Sequence, residues 1–247
     1  MKSGCSDKIS FCVTCKNRLW QLQQTLPANL EAILADGRSE IVLVNYNSDD
    51  DLDEWVRQFG EHIDSGVLRY IHEGTEQFFH CSKAKNLAHF AATGELLVNL
   101  DADNFIGDSI VSWRAVWAEH GDTVIQHRYE NGSDGTYGRI GMPRAHFIAL
   151  GGYDEQMHPV AVQDLDLVER GRASGLERRQ LRQDGLAAIR NSVAEKIRYC
   201  GSDLSYKEMQ AANLERMRDN LRRGDLVANR TRRPMKVTLN FVHEIEV

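Results

Sequence analysis

The chain has 247 residues, with 30 Lys plus Arg against 36 Asp plus Glu, a net charge of −6, and a composition 42% hydrophobic and 27% charged. That is enough ordinary globular sequence to bury a full core, which excludes a disordered or fibrous chain, and the negative balance gives no support to nucleic acid as a bulk partner. No apolar run approaches the roughly 20 residues of a membrane span, and residues 1–8 lack the apolar core of a signal peptide, so a cytoplasmic address is expected.

Residues 9–14 are a short apolar run and read as a first buried strand. A helical pattern follows Lys16-Asn17-Arg18, carrying Leu19, Leu22, Leu26, Leu30, Ile33 and Leu34, with Pro27 expected to kink or restart it. Ile41-Val42-Leu43-Val44 marks a second strand over 40–45, and Asn47 to Asp51 a turn with good helix-capping residues. Leu52, Trp55, Val56 and Phe59 then repeat at helical spacing, and Gly60 reads as their stop. Residues 67–71 give a third strand, 82–93 a helix closed by Gly94, and 95–100 a fourth strand. This alternation over the first hundred residues predicts a parallel sheet with helices on both faces.

The second half is less regular. A helix is read at 109–119, a strand at 123–126, and a mobile polar loop at 131–135. Met142-Pro143 reads as the start of a short helix through Leu150, closed by Gly151-Gly152. Further helices are read at 163–173 and 204–223, and the tail over 236–247 alternates in strand fashion. The five cysteines, Cys5, Cys12, Cys15, Cys81 and Cys200, are odd in number and scattered. Cys12-x-x-Cys15 has no second pair at zinc-site spacing, which favours buried small side chains over a redox or metal site.

The fourth strand runs into Asp101-Ala102-Asp103-Asn104. Alternation in an extended strand would turn Asp101 and Asp103 the same way, just beyond the strand's carboxyl end, where open α/β sheets bind ligands. Two oxygen ligands there suit a hard divalent cation that also holds phosphate oxygens. The alternative is a helix-capping Asp beside a solvated turn residue. There is no G-x-G-x-x-G after the first strand and no G-x-x-x-x-G-K-[ST], which argues against dinucleotide-binding folds and P-loop NTPases. The Gly-rich loop of sugar nucleotidyltransferases is also missing, because that place holds Thr14-Cys15-Lys16-Asn17-Arg18.

Four segments, in order, resemble family 2 glycosyltransferases of the GT-A fold over about residues 8–190. Val42-Leu43-Val44-Asn45-Tyr46-Asn47-Ser48-Asp49 is similar to the family's V-D-D-G-S-x-D turn. Lys83-Ala84-Lys85-Asn86-Leu87 with Ala91-Ala92-Thr93-Gly94-Glu95 is similar to A-R-N-x-G … A-x-G-E. Leu100 to Asn104 matches L-D-A-D-[DN], and Gly151-Gly152-Tyr153-Asp154-Glu155 with Gln163-Asp164-Leu165-Asp166-Leu167 and Arg170 resembles G-G-F-D-E … E-D-x-D-L-x-x-R. The last pair looks most like the acceptor half of β-1,4-galactosyltransferase-like enzymes.

The resemblance implies one α/β nucleotide-diphospho-sugar transferase domain over 1–247. Its mostly parallel sheet would have helices on both faces. Residues 8–107 would form the nucleotide-sugar half and 108–200 the acceptor half, with 201–247 a helical and strand extension. It implies metal-dependent, inverting transfer from a nucleotide-sugar donor, usually UDP-linked, to a glycan, lipid-linked, peptide or small-molecule acceptor. By position, Thr14, Lys16, Asn17 and Arg18 would line the nucleotide pocket, against the alternative that Lys16 and Arg18 are exposed at a helix start. Asn45 stands where the family has an Asp on the pyrimidine, and Lys85 replaces an Arg near base or diphosphate, or is a solvated helix lysine.

Asp101 would contact ribose or sugar and help hold the cation, Mn²⁺ or Mg²⁺, and Asp103 would ligate it. Asp164 would be the general base, with Asp166 its competitor and Arg170 the ion-pair partner of Asp166. Gln163, in place of the family's Glu, and Gly152 would meet the acceptor. For a third metal ligand, Asn191 stands where a His is expected, and His243 is a second candidate. The Arg-rich stretches at 172–182 and 216–233 read as solvated helix faces, or as a patch for an anionic acceptor or a membrane surface. The rival readings are a catalytically silent sugar-nucleotide-binding or scaffold protein and, disfavoured by the missing loop, a nucleotidyltransferase.

Overall fold

The computed structural model describes residues 7–128, 135–182 and 188–247. Residues 131–134 of the loop expected to be mobile, and Cys5, lie outside them. The first half alternates as expected: β1 (Ile9–Cys15), α1 (Leu19–Asp36), β2 (Ser39–Tyr46), α2 (Leu52–Val56), α3 (Gly60–Asp64), β3 (Leu68–Glu73), α4 (Cys81–Ala91) and β4 (Leu96–Asn99). Then come α5 (Ser109–His120), β5 (Thr123–Arg128), β6 (Ile140–Pro143), α6 (Arg144–Ala149), α7 (Gln163–Ala173), β7 (Glu177–Arg182), α8 (Val193–Ile197), α9 (Tyr206–Arg223), β8 (Lys236–Leu239) and β9 (His243–Glu246). One sheet holds the described strands in the order β7-β5-β6-β4-β1-β2-β3-β8-β9. Its centre, β4-β1-β2-β3, is parallel, with Ile9 opposite both Ser39 and Leu96, and β6, β8 and β9 run antiparallel to their neighbours.

The central strands are mostly buried and rich in apolar residues because both of their faces are covered. Ile9, Phe11 and Val13 of β1 pack with Leu22, Leu26, Leu30 and Ile33 of α1, Val56 of α2 and Trp113 of α5. On the opposite face Cys12, Val42, Val44 and Leu97 pack with Ala84, Leu87 and Ala88 of α4, Phe147 of α6, and Leu167 and Val168 of α7. Strand alternation therefore puts Cys12 and Cys15 in different layers. Both are buried free thiols, and burial pushes Cys15 up to about 12, so the C-x-x-C is structural.

Several boundaries differ from the sequence expectation. Pro27 lies inside an unbroken α1, whose apolar face is pinned by the core residues on either side of it. Gly60 does not stop the second helix. Its dihedrals are helical (φ −52°, ψ −43°), and a 3₁₀ turn at Arg57–Phe59 leads into α3. Gly66, at φ +74°, stands beyond its end. Met142-Pro143 ends a strand, β6, inserted between β4 and β5 with Leu96 opposite Pro143, and Pro143 is also the N-cap of the expected short helix, α6. Gly141 of β6 admits Trp113, whose ring would lie 2.5 Å from any Cβ there. In the first Arg-rich stretch Arg172 is on an exposed helix face, in α7 and paired with Glu169, whereas Arg178 and Arg179 belong to β7, an edge strand parallel to β5. In the second Arg-rich stretch Arg216 pairs with Asp154, Arg222 with Asp219, Arg230 with Asp225 and Arg232 with Glu155. Among the described residues no helix is long and apolar enough to cross a membrane.

His89 of α4 is buried, stacks on Phe147 at 4.8 Å and donates from Nδ1 to the Lys85 carbonyl at 2.7 Å. Burial, helped by the Lys85 charge, pushes its pKa down to about 3. Below the ordinary His value the unfolded chain takes up a proton that the fold refuses, so stability is full above about pH 6.5 and falls as the medium is acidified. Denaturant unfolding is expected to give a stability about 2 kcal/mol lower at pH 5 than at pH 7 from this group. His89→Phe should remove that part of the difference, and an unchanged pH slope in the variant would refute the assignment.

Candidate active site

Strand order reverses at β1, with β2 on one side and β4 on the other. The loops leaving two such strands separate and open a crevice at their carboxyl ends. A cavity of about 540 Å³ lies there, lined by Thr14 at the end of β1, Lys16 and Arg18 just after it, Asp101 and Asp103 after β4, and Gln163 and Asp164 at the start of α7.

The two acidic residues reach the cavity by a different geometry from the expected one. β4 ends at Asn99, and Asp101 to Asn104 form a turn closed by Asn104 N–H donating to the Asp101 carbonyl at 2.9 Å. α1 holds this turn with buried polar side chains. Thr25 donates to the Ala102 carbonyl at 2.7 Å, Asn29 donates to the Asn104 carbonyl at 2.9 Å, and Asn29 Oδ1 accepts from Ile106 N–H at 2.7 Å. Asp103 accepts from the side-chain amides of Asn104 and Asn191. Burial, and then the Asp101 charge, push its carboxyl up to about 6.

Opposite this turn stands Lys85 of α4, its side chain 4% exposed, with Nζ 2.7 Å from Asp164 Oδ1 and 3.8 Å from Asp101 Oδ1. Burial alone would favour the neutral amine, but Asp164 leads the groups that hold Lys85 charged. Asp164 is raised by burial, with Lys85 opposing. A Cβ on Gly138 would lie 3.0 Å from Asp164 Oδ2 and 3.1 Å from Asp101 Oδ2, so the two carboxylates converge over Gly138, where a side chain would crowd both.

The loop before α7 is strained, with Ala161 at φ +74° and the β-branched Val162 at φ +75°. Asn213 of α9 holds it: Oδ1 accepts from His158 N–H at 2.7 Å, and Nδ2 donates to the carbonyls of Val160 and Ala161 at 3.1 and 2.8 Å. Gln163 Nε2 donates back to the His158 carbonyl at 2.7 Å, which fixes its side chain at the cavity wall. Sequence reasoning missed Asn213, as it missed the cavity residues Tyr199, Tyr206 and Gln210. The only available signal was a polar Asn between Met209 and Met217 on the buried face of an amphipathic helix.

Of the other expected site residues, Thr14, Lys16 and Arg18 line the cavity. Lys16 donates to the carbonyls of Tyr46 and Asn47, and Arg18 to the Glu195 carbonyl at 2.8 Å. Asn17, Asn45 and Gly152 are not among the lining residues. Asn17 and Asp49 bond each other, tying the β1–α1 loop to the β2–α2 loop. Asn45 is buried with its Oδ1 accepting from Ser48 N–H and its Nδ2 donating to Asp53, both at 2.9 Å. Gly152, at φ +70°, packs on Asn86, whose Oδ1 would be 2.4 Å from a Cβ. Asp166 is fully buried on Arg170, Oδ2 to Nε 2.8 Å, away from the cavity. His243 is exposed on β9, the outermost strand on the far side of the sheet.

Among the described residues no group of three or more His, Cys, Asp or Glu side chains is placed to hold a metal. The carboxylates of Asp101 and Asp103 are nevertheless the oxygen donors of a hard-cation site, the second raised by burial and by its acidic neighbour, while Asn191, the expected third ligand, turns its NH2 to Asp103 and accepts on Oδ1 from Gln21 at 2.7 Å. A divalent cation fits this set.

The model of the glycosyl transferase family 2 matches residues 10–172, more than half of the chain, and the chain belongs to that family. It is a glycosyltransferase with the GT-A fold. Among solved structures it resembles S. aureus TarS 1-349 in complex with UDP, at TM-score 0.62 and 15% identity over 87% of this chain and 72% of that one. A second is the mannosyltransferase PcManGT from Pyrobaculum calidifontis in complex with GDP-Man and Mn²⁺, at TM-score 0.61 and 15% identity, covering 89% and 70%. Against the longer S. aureus TarS chain the TM-score is 0.57 at 16% identity, over 82% of this chain and 41% of that one. No curated protein sequence matches the chain.

Proposed function

We propose that the chain transfers a sugar from a nucleoside diphosphate donor, UDP-linked in our reading, to an acceptor hydroxyl with inversion at the anomeric carbon. The observation that carries this is the meeting of Asp101, Asp103, Lys85 and Asp164 around one cavity at the sheet's switch point. Thr14, Lys16 and Arg18 form the nucleotide side, with Asn17 and Asn45 shaping the loops behind it. Asp101 and Asp103, aided by Asn191, would hold Mn²⁺ or Mg²⁺, which when bound neutralises charge on the leaving diphosphate. Asp164 takes the acceptor hydroxyl's proton as the oxygen bonds to the anomeric carbon and the bond to the diphosphate oxygen breaks. Lys85 sets the charge of this centre: it favours ionised Asp164 at rest and lies within reach of Asp101 on the donor side. Arg170 and Asp166 fix α7, which carries the base. A cytoplasmic site of action belongs to this reading.

The test is calorimetry of UDP, UDP-GlcNAc and GDP-mannose with and without Mn²⁺ or Mg²⁺. Metal-dependent binding with one nucleotide preferred is the expected result. Folded protein that binds none of them under either condition would favour the silent-scaffold reading.

A further inference from the structure

The cavity has a wall that the family match does not reach. The matched region ends at residue 172, and α9 lies beyond it. Tyr206, Gln210 and Leu214 of α9 stand four residues apart, so they form one stripe along the helix, and all three line the cavity. Tyr206 is held rigidly at the first turn, because Ser205 caps the helix and forms a reciprocal capping box with Glu208. The helix is also tied to the loop before the candidate base through Asn213. Burial, then the nearby Asp164, raises the Tyr206 hydroxyl's pKa, which is the electrostatic mark of its proximity to that carboxylate.

Phe79, Tyr199 and Val160 line the same cavity, and Phe79 and Tyr206 both pack on the cluster of Val160 and Met209. Of the charged residues that line the cavity, Lys85 and Asp164 pair with each other at 2.7 Å. Lys16 and Arg18 already donate to backbone carbonyls, and Glu195 and Lys196, neighbours on α8, bring one charge of each sign. An anionic acceptor would need a free cation here, and a cationic one a free carboxylate. Aromatic faces beside amides suit a ring that has an apolar C–H face and a rim of hydroxyls.

We propose that the Tyr206–Gln210–Leu214 stripe, with Tyr199 and Phe79 beside it, is the acceptor subsite, and that it takes a neutral pyranose ring. The ring lies against the Tyr206 face, its rim hydroxyls meet the Gln210 amide, and the reacting hydroxyl points to Asp164. This assignment rests on the transferase reading and adds the acceptor's class to it.

The test uses the whole chain with the donor found by calorimetry. Acceptors would be methyl glucoside, methyl galactoside and methyl N-acetylglucosaminide, set against glucose 6-phosphate and a Ser/Thr peptide. A neutral glycoside is expected to be the best acceptor. Tyr206→Ala and the exposed Gln210→Ala should each raise its KM about tenfold, with donor Kd held within about twofold. Tyr206→Phe, which keeps the ring, should recover most of the loss. Lys207→Ala, on the exposed side of the same helix, should leave both constants alone. Preference for the sugar phosphate or the peptide overturns the proposal, and so does an acceptor KM that neither alanine variant moves. A failure of the transferase reading is seen separately, before any acceptor is added, as wild-type protein that binds no donor, and the acceptor subsite falls with it.

Discussion

Asp164→Asn is expected to slow sugar transfer by ~10²–10⁴-fold while donor affinity stays near the parental value. Asparagine keeps the shape of the side chain and an oxygen to accept from Lys85 Nζ, now 2.7 Å from Asp164 Oδ1. It cannot accept the acceptor's proton. The nearby Asp166 is a poor rival for that role, since it is fully buried on Arg170, whose other donors go to the carbonyls of Leu150 and Gly152. Asp166→Asn should therefore reduce stability with little change in the chemical step, the reverse of the Asp164 result. Asp164 is 24% exposed in its side chain and faces the space beside Gly138 that it shares with Asp101. Single-turnover transfer with saturating donor, together with donor calorimetry, separates the two roles. A parental rate in Asp164→Asn would place the base elsewhere.

Much of this centre was legible because its residues must satisfy local rules. β1 and β2 declare themselves by short runs rich in apolar residues, such as Ile41 to Val44, as strands covered on both faces do. α7 declares itself by Asp164 and Asp166 in its first turn and Arg170 in its last. What stayed hidden depends on partners distant in sequence. β6 is too short and too interrupted by Gly141 and Pro143 to read as a strand, and it exists because β4 and β5 flank it. β7 carries charges that edge strands tolerate and that mimic a solvated helix face. Asn45 looked like a ligand for a base, but its amide is used at both ends by the turn that follows it. The Asp-x-Asp pair was correctly placed at a strand's end, yet Thr25 and Asn29, more than 70 residues earlier, decide that it is a turn and not an extended segment. Gly60 shows the limit of a single-residue rule, since glycine ends a helix only where the chain takes a left-handed conformation; here it stays helical.

Asp103 should give the second large effect, with opposite signs for function and stability. Asp103→Asn is expected to abolish the metal-dependent part of donor binding and, because a metal at a leaving diphosphate contributes several kcal/mol, to lower transfer on the order of 10³-fold. The metal-free protein should be at least as stable as the parent. The side chain is brought against Asp101 out of bulk water, and burial and that charge together already push its carboxyl up to about 6. An amide removes the repulsion, which outweighs the one acceptor it loses, since Asn104 and Asn191 donate to different oxygens of Asp103 and an amide keeps only one. Such a trade is expected of a residue held in place for a ligand and not for the fold. Calorimetry with and without Mn²⁺ reads the first effect, and thermal unfolding in the presence of a chelator reads the second. Loss of donor binding together with a fall in metal-free stability would make Asp103 a structural anchor of the 101–104 turn. Unchanged metal-dependent binding would move the cation site away from this turn altogether.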